Sequence, residues 1–129
     1  MGMDTNDKGK LSQAVAMLRT AGEHIRDIEK RASATLHDQG DETGYRRLMR
    51  EKCDILMGLP AAGQALLAGA TGAACDELRA ELASFAARAG QAVKIGSVFY
   101  MAALLYPDDY KPGDPNDLEE TVARFAELL

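Results

Sequence analysis

AACDELRAELASFAARAGQAVKIGSVFYMAALLY, Ala73 to Tyr106, reads as one long helix that begins with a single wet face and ends apolar on every side. On a wheel of about 3.6 residues per turn, Leu78, Leu82, Phe85, Ala86, Ala89 and Val93 form one stripe. Asp76, Glu77, Ser84, Gln91 and Lys94 fall opposite. From Ile95 onward the polar side is replaced by Ile95, Val98 and Leu105, while the old stripe continues through Gly96, Tyr100, Ala103 and Leu104. Small residues also recur at heptad spacing, Ala83, Gly90, Ser97 on one line and Ala89, Gly96, Ala103 on the next. A helical glycine costs about 1 kcal/mol against alanine. These lines therefore predict close backbone approach by neighbouring helices.

The rest of the chain supplies those neighbours. A length of 129 residues suits one domain, and at that size folding buries roughly two-thirds of the open chain's surface. Tryptophan is absent, aromatics are few, and β-branched residues are not clustered, which is a helical rather than a sheet composition. The expected fold is all-α, an antiparallel bundle of four main helices plus a short extra helix after Pro60. Residues 1–10 are expected to form a flexible tail and residues 11–129 the single helical domain.

The first helix carries the clearest periodicity. Leu11, Val15, Leu18, Gly22, Ile25, Glu29, Ala32 and Leu36 alternate spacings of four and three, which is a sustained apolar seam. Glu29 interrupts it, and Ile28 beside it fills the gap by a slight rotation. The glycine-bearing stretch from His37 to Gly44 is a turn, with Asp41 or Thr43 capping the second helix.

That second helix presents Tyr45, Leu48, Met49, Lys52 or Cys53, and Leu56 inward. Its outer Arg46, Arg47 and Arg50 stand four residues from Glu42, Glu51 and Asp54, respectively. They therefore read as a self-paired solvated face and not as a phosphate site. Gly58 and Pro60 end or kink this helix, and Leu59, Ala62, Leu66, Leu67 and Ala70 share a face on a short helix or on a bent continuation. After Tyr106 comes a proline-broken acidic loop. Asn116 with Glu119 has capping-box spacing ahead of Leu118, Val122, Phe125 and Leu129.

No stretch carries a catalytic, cofactor or metal motif. His24 lies between acidic residues but lacks a Glu or His three or four positions away, as a metal-binding bundle requires. Neither His24 nor His37 has the lysine and glycine that come after a phosphocarrier histidine. Arg19 to His24 and Arg31 to His37 have the spacing used by HEPN-type ribonucleases, yet residues five apart on a helix point well away from each other. Asp108 to Glu119 has the Asp, Gly and Glu positions of a calcium loop, but Tyr110 and Pro112 stand where oxygen ligands belong. Cys53 and Cys75 have no metal-ligand spacing and read as small buried apolar groups.

The formal net charge of −5 argues against a nucleic-acid footprint and against adhesion to anionic membrane. Gly96 to Tyr106 is far short of the ~20 residues that cross a bilayer. With no secretory pattern at its start, the chain is expected in the cytoplasm.

The residues support two readings of function. In the first, the protein is not an enzyme and works by association, as a homodimer through Ile95, Val98, Phe99, Met101 and Leu105. The stiff loop residues Asp108, Asp109, Tyr110 and Asp114 offer a contact for a protein partner. An uncovered apolar patch of several hundred square ångströms is unusual on a monomer, and a two-fold contact is the commonest way to hide it. In the second, Met17, Met49, Phe99, Tyr100 and Met101 line an interhelical pocket for an apolar or aromatic ligand, with or without catalysis.

Overall fold

The structure, a computed structural model, describes residues 3–129. Among them are six helices and no strands: α1 Thr5–His37, α2 Glu42–Met57, α3 Leu59–Leu67, α4 Ala73–Ile95, α5 Val98–Ala103 and α6 Asp117–Ala126. The fold is an all-α helical bundle. α2 turns back along α1, α3 and α4 close the bundle, α6 lies in contact with α1, and α5 sits across α2 and the end of α4.

The seam of α1 goes to the core as its spacing requires. Leu11, Leu18, Ile25 and Ile28 are fully buried, so Ile28 does take the place left by Glu29. Gly22 on the same seam admits α6: a Cβ there would stand 2.8 Å from Leu118 Cδ2. α6 begins where its capping box lies, with Asn116 N–H donating to Glu119 at 2.9 Å and Glu119 N–H donating back to the Asn116 side chain at 2.9 Å. Leu118, Val122 and Phe125 are buried. Leu129 falls beyond the end of the helix and is exposed, so the apolar seam stops one turn earlier than its spacing suggests.

The expected tail over residues 1–10 is not found from Thr5 onward; Met1 and Gly2 lie outside the described residues. Asp4 caps α1 by accepting from Asp7 N–H at 2.7 Å, satisfying a donor that a helix start otherwise leaves open. The Asp7 carboxylate then accepts from Thr71 and Gly72 N–H, at 3.3 and 3.2 Å. It thereby tethers the chain entering α4, where Gly72 has no side chain to act as a cap. Lys10 donates to Ala68 O at 2.6 Å. The first turns of α1 are thus tied down by contacts more than fifty residues away in sequence, which no local pattern reveals.

The long helix from Ala73 to Tyr106 is also corrected. It is α4, a break, then α5. Gly96 adopts φ 74°, and its N–H bonds to Ala92 O and Val93 O at 3.0 Å each, the left-handed turn that commonly closes a helix. A Cβ on Gly96 would meet nothing within 4 Å, so the glycine is there for its backbone freedom and not for close approach. Ser97 then caps α5 by accepting from Tyr100 N–H at 3.2 Å. Gly58 does end α2, and Leu59–Leu67 is a helix of its own.

Gly96→Ala should therefore lower the unfolding free energy by about 1 kcal/mol through left-handed backbone strain alone. Urea denaturation monitored by circular dichroism measures this, and an unchanged midpoint would count against the turn.

Candidate functional site

Two features stand out against an otherwise apolar bundle, one buried and one exposed. The buried one begins with Lys52, which faces inward from α2 and has no exposure at all. Taking an ammonium out of water costs several kcal/mol unless its protons find acceptors. Here two carbonyls accept and a carboxylate stands close by. Nζ donates to Leu104 O at 2.9 Å and Ala102 O at 3.2 Å, and lies 2.9 Å from Glu29 Oε2 as an ion contact. The two carbonyls are at the C-terminal end of α5, where unpaired acceptors and the helix dipole both favour a cation.

Glu29, the residue that interrupts the α1 seam, is held on its other oxygen by the Tyr106 hydroxyl, which donates to it. The Tyr106 hydroxyl oxygen also accepts from Arg26 Nη1 at 3.3 Å. One turn before Glu29 on α1, Arg26 forks onto Glu119, with Nη2 to Oε1 at 2.6 Å and Nε to Oε2 at 3.1 Å. It further donates to the Tyr110 hydroxyl and to Asp114 O, each at 3.3 Å. A continuous polar chain therefore runs from α2 through α1 and the loop after α5 into the cap of α6.

These contacts set the titration behaviour. Burial pushes the Lys52 ammonium below its ordinary value, with Glu29 acting against that shift. Tyr106 is raised, first by burial and then by its bond to Glu29. The Arg26 hydrogen bond holds Glu119 below the usual carboxylate range. Burial raises both Cys53 and Cys75, which are unpaired thiols, so neither is poised as a thiolate nucleophile.

A cleft of about 240 Å³ lined by Glu29, Ser33, His37, Tyr45, Met49 and Tyr106 lies beside the knot. Lys52 does not reach it. A fully buried lysine bonded to two carbonyls and standing beside a counter-charge fixes α5 in place; it is not arranged for attack on a carbonyl.

The exposed feature is on the opposite side of α5. Phe99 is 73% exposed, Ile95 55% and Tyr100 52%, and the Phe99 and Tyr100 rings meet edge to face with centroids 5.8 Å apart. Beside them is a groove of about 410 Å³ walled by Ala92 and Ile95 of α4 on one side and by Tyr100, Leu104 and Pro107 on the other. Arg88 and Asp117, paired at 3.2 Å, are also on its lining.

The proposed contact set is thus divided. Ile95 and Phe99 face outward, Val98 is half-buried, and Met101 and Leu105 are turned into the core at 8% and 2% exposure. The break at Gly96 redirects α5 onto α2, which turns Met101 and Leu105 inward, Leu105 still lining the groove, and leaves Tyr100 exposed in addition to Ile95 and Phe99.

The acidic loop divides as well. Asp108 and Asp109 are exposed. Tyr110 is bound to Arg26, and the Asp114 carboxylate accepts from Lys111 N–H at 3.1 Å. Met17, Met49, Phe99, Tyr100 and Met101 do not converge on one cavity: Met49 lines the small cleft, Tyr100 the groove, Met101 is buried in the core, and Phe99 points to solvent. His24 is exposed on α1, and among the described residues no three His, Cys, Asp or Glu side chains gather as metal ligands. Among the described residues, no helix is long and apolar enough to cross a membrane. Neither family models nor curated proteins nor solved structures give a match to this chain.

Lys52→Met should cost about 3–5 kcal/mol, because it strands the Glu29 carboxylate, and pairing it with Glu29→Gln should recover much of that loss. Urea unfolding of the single and double variants measures both. Glu119 has a depressed folded value, so its contribution is full above the ordinary value of 4.5 and is lost as pH falls through the lower folded value. The stability gap between wild type and Glu119→Gln should accordingly narrow below that point in a pH series of thermal melts.

Proposed function

We propose that this protein acts by association and not by chemistry of its own, and that a second copy of the chain covers the α4–α5 face. The observation that carries this is Phe99, a large apolar ring 73% exposed whose edge-to-face neighbour Tyr100 lines an apolar groove. A projection and a recess of matching chemistry on one face suit reciprocal insertion about a two-fold axis, the self-complementary arrangement of most homodimers. Ile95 and Tyr100 widen the apolar area around it, and large aromatic side chains of this kind are the usual anchors of protein contacts.

The buried polar knot supports the same reading. It spends the charged side chains nearest α5 on holding that helix rather than on presenting groups to a substrate. Two buried, unpaired cysteines fit a reducing cytoplasm. Net charge of −5 disfavours nucleic acid and anionic membrane as partners.

Sedimentation equilibrium tests this reading. Wild type should be dimeric, and Phe99→Asp should be monomeric with an unchanged urea midpoint, since the side chain contributes little to the subunit's own core. A monomeric wild type at tens of micromolar would refute the proposal.

A further inference from the structure

The two walls of the groove differ in the charges that flank them. On the α4 wall, Lys94 stands immediately before Ile95 in the last turn of the helix. On the other wall, Asp108 and Asp109 come directly after Pro107. All three side chains are exposed, and none takes part in an ion pair among the described residues. The two charged residues on the groove's lining, Arg88 and Asp117, pair with each other. Lys111 and Asp114 come after Tyr110, which turns away to Arg26 on α1.

We propose that two copies pair about a two-fold axis running along the groove, so that Lys94 of each subunit meets Asp108 and Asp109 of the other. This pairing rests on the association proposed above and specifies its geometry. A two-fold axis lying in the contact plane and parallel to the groove exchanges the walls, placing each α4 wall over the other copy's 103–109 wall. An axis across the groove would instead set lysine against lysine and aspartate against aspartate, and like charges brought together at a contact are penalised. In the wall-exchanging orientation the charged residues form a rim around the apolar contact, which is the usual layering of a protein contact. Rim charges chiefly set orientation and on-rate, with a modest share in affinity.

Charge exchange tests the pairing in the full chain. Lys94→Glu should weaken dimerisation about tenfold by sedimentation equilibrium at low salt, and Asp108→Lys with Asp109→Lys should do the same. Combining all three substitutions should restore the wild-type dissociation constant to within about twofold, because each contact is then re-formed with its signs exchanged. All the substituted side chains are exposed, and a thermal melt of each variant confirms that the fold is retained. A dimeric wild type whose affinity is unmoved by either reversal, or a triple variant no tighter than the single reversals, would overturn this orientation while leaving association through the apolar face intact. A monomeric wild type would overturn both.

Discussion

Lys52 is an ammonium with no water, and the position of α5 depends on what surrounds it. A buried charge of this kind is tolerated only when its protons are all engaged and a counter-charge is close. Glu29 supplies the charge, and the carbonyls of Ala102 and Leu104 supply the remaining acceptors. α5 has only six residues, too few to persist as an isolated helix in water. Its C-terminal end is held by a cation on α2 and its N-terminal end by Ser97. Both tethers are needed, because Gly96 has released it from α4.

The same knot continues into the loop and the last helix. Tyr106 binds Glu29, Arg26 binds both Tyr106 and Glu119, and Glu119 is half of the α6 capping box. A single line of polar contacts therefore sets the path of the chain from the end of α5 to the start of α6. One side of α5 is consumed in this way, with Met101 and Leu105 buried against the core. Among the described residues nothing covers the other side, and that is why Phe99 and Tyr100 are left in solvent. The asymmetry of a short helix fixed on one face is the physical origin of the surface assigned to self-association.

Much of this was legible in the sequence where the determinants are local. The α1 seam, the Gly58 stop and the Asn116–Glu119 box each rest on residues within one or two turns, and each lies where its spacing indicated. The features that could not be read depend on distant partners or on backbone angles. Gly96 looked like a packing glycine because it falls in line with Ala89 and Ala103, yet its role is a φ of 74°. Leu105, with φ 79° and no glycine to announce it, turns the chain away after α5. Asp7 finds its donors at Thr71 and Gly72, across the bundle. The Lys52–Glu29 pair did leave a signal: each was a charged residue at an inward position of its own helix. Two opposite charges breaking the apolar faces of adjacent antiparallel helices are a reason to look for a buried pair. Treating Glu29 as a defect to be rotated away, and Lys52 as interchangeable with Cys53, concealed it.

Amide hydrogen exchange at residues 98–104, compared between dilute and concentrated protein, tests most directly whether α5 is a fixed helix whose outer face is covered by a second copy. Protection of Met101 and Leu104 N–H, which bond to Ser97 O and Tyr100 O at 3.1 Å each, should be present in dilute solution and should increase with concentration, while the amides at the centre of α1 stay unchanged. Free exchange of these amides at every concentration would show that the knot does not hold α5, and protection that never varies across the range over which the protein should associate would show that no second copy covers it.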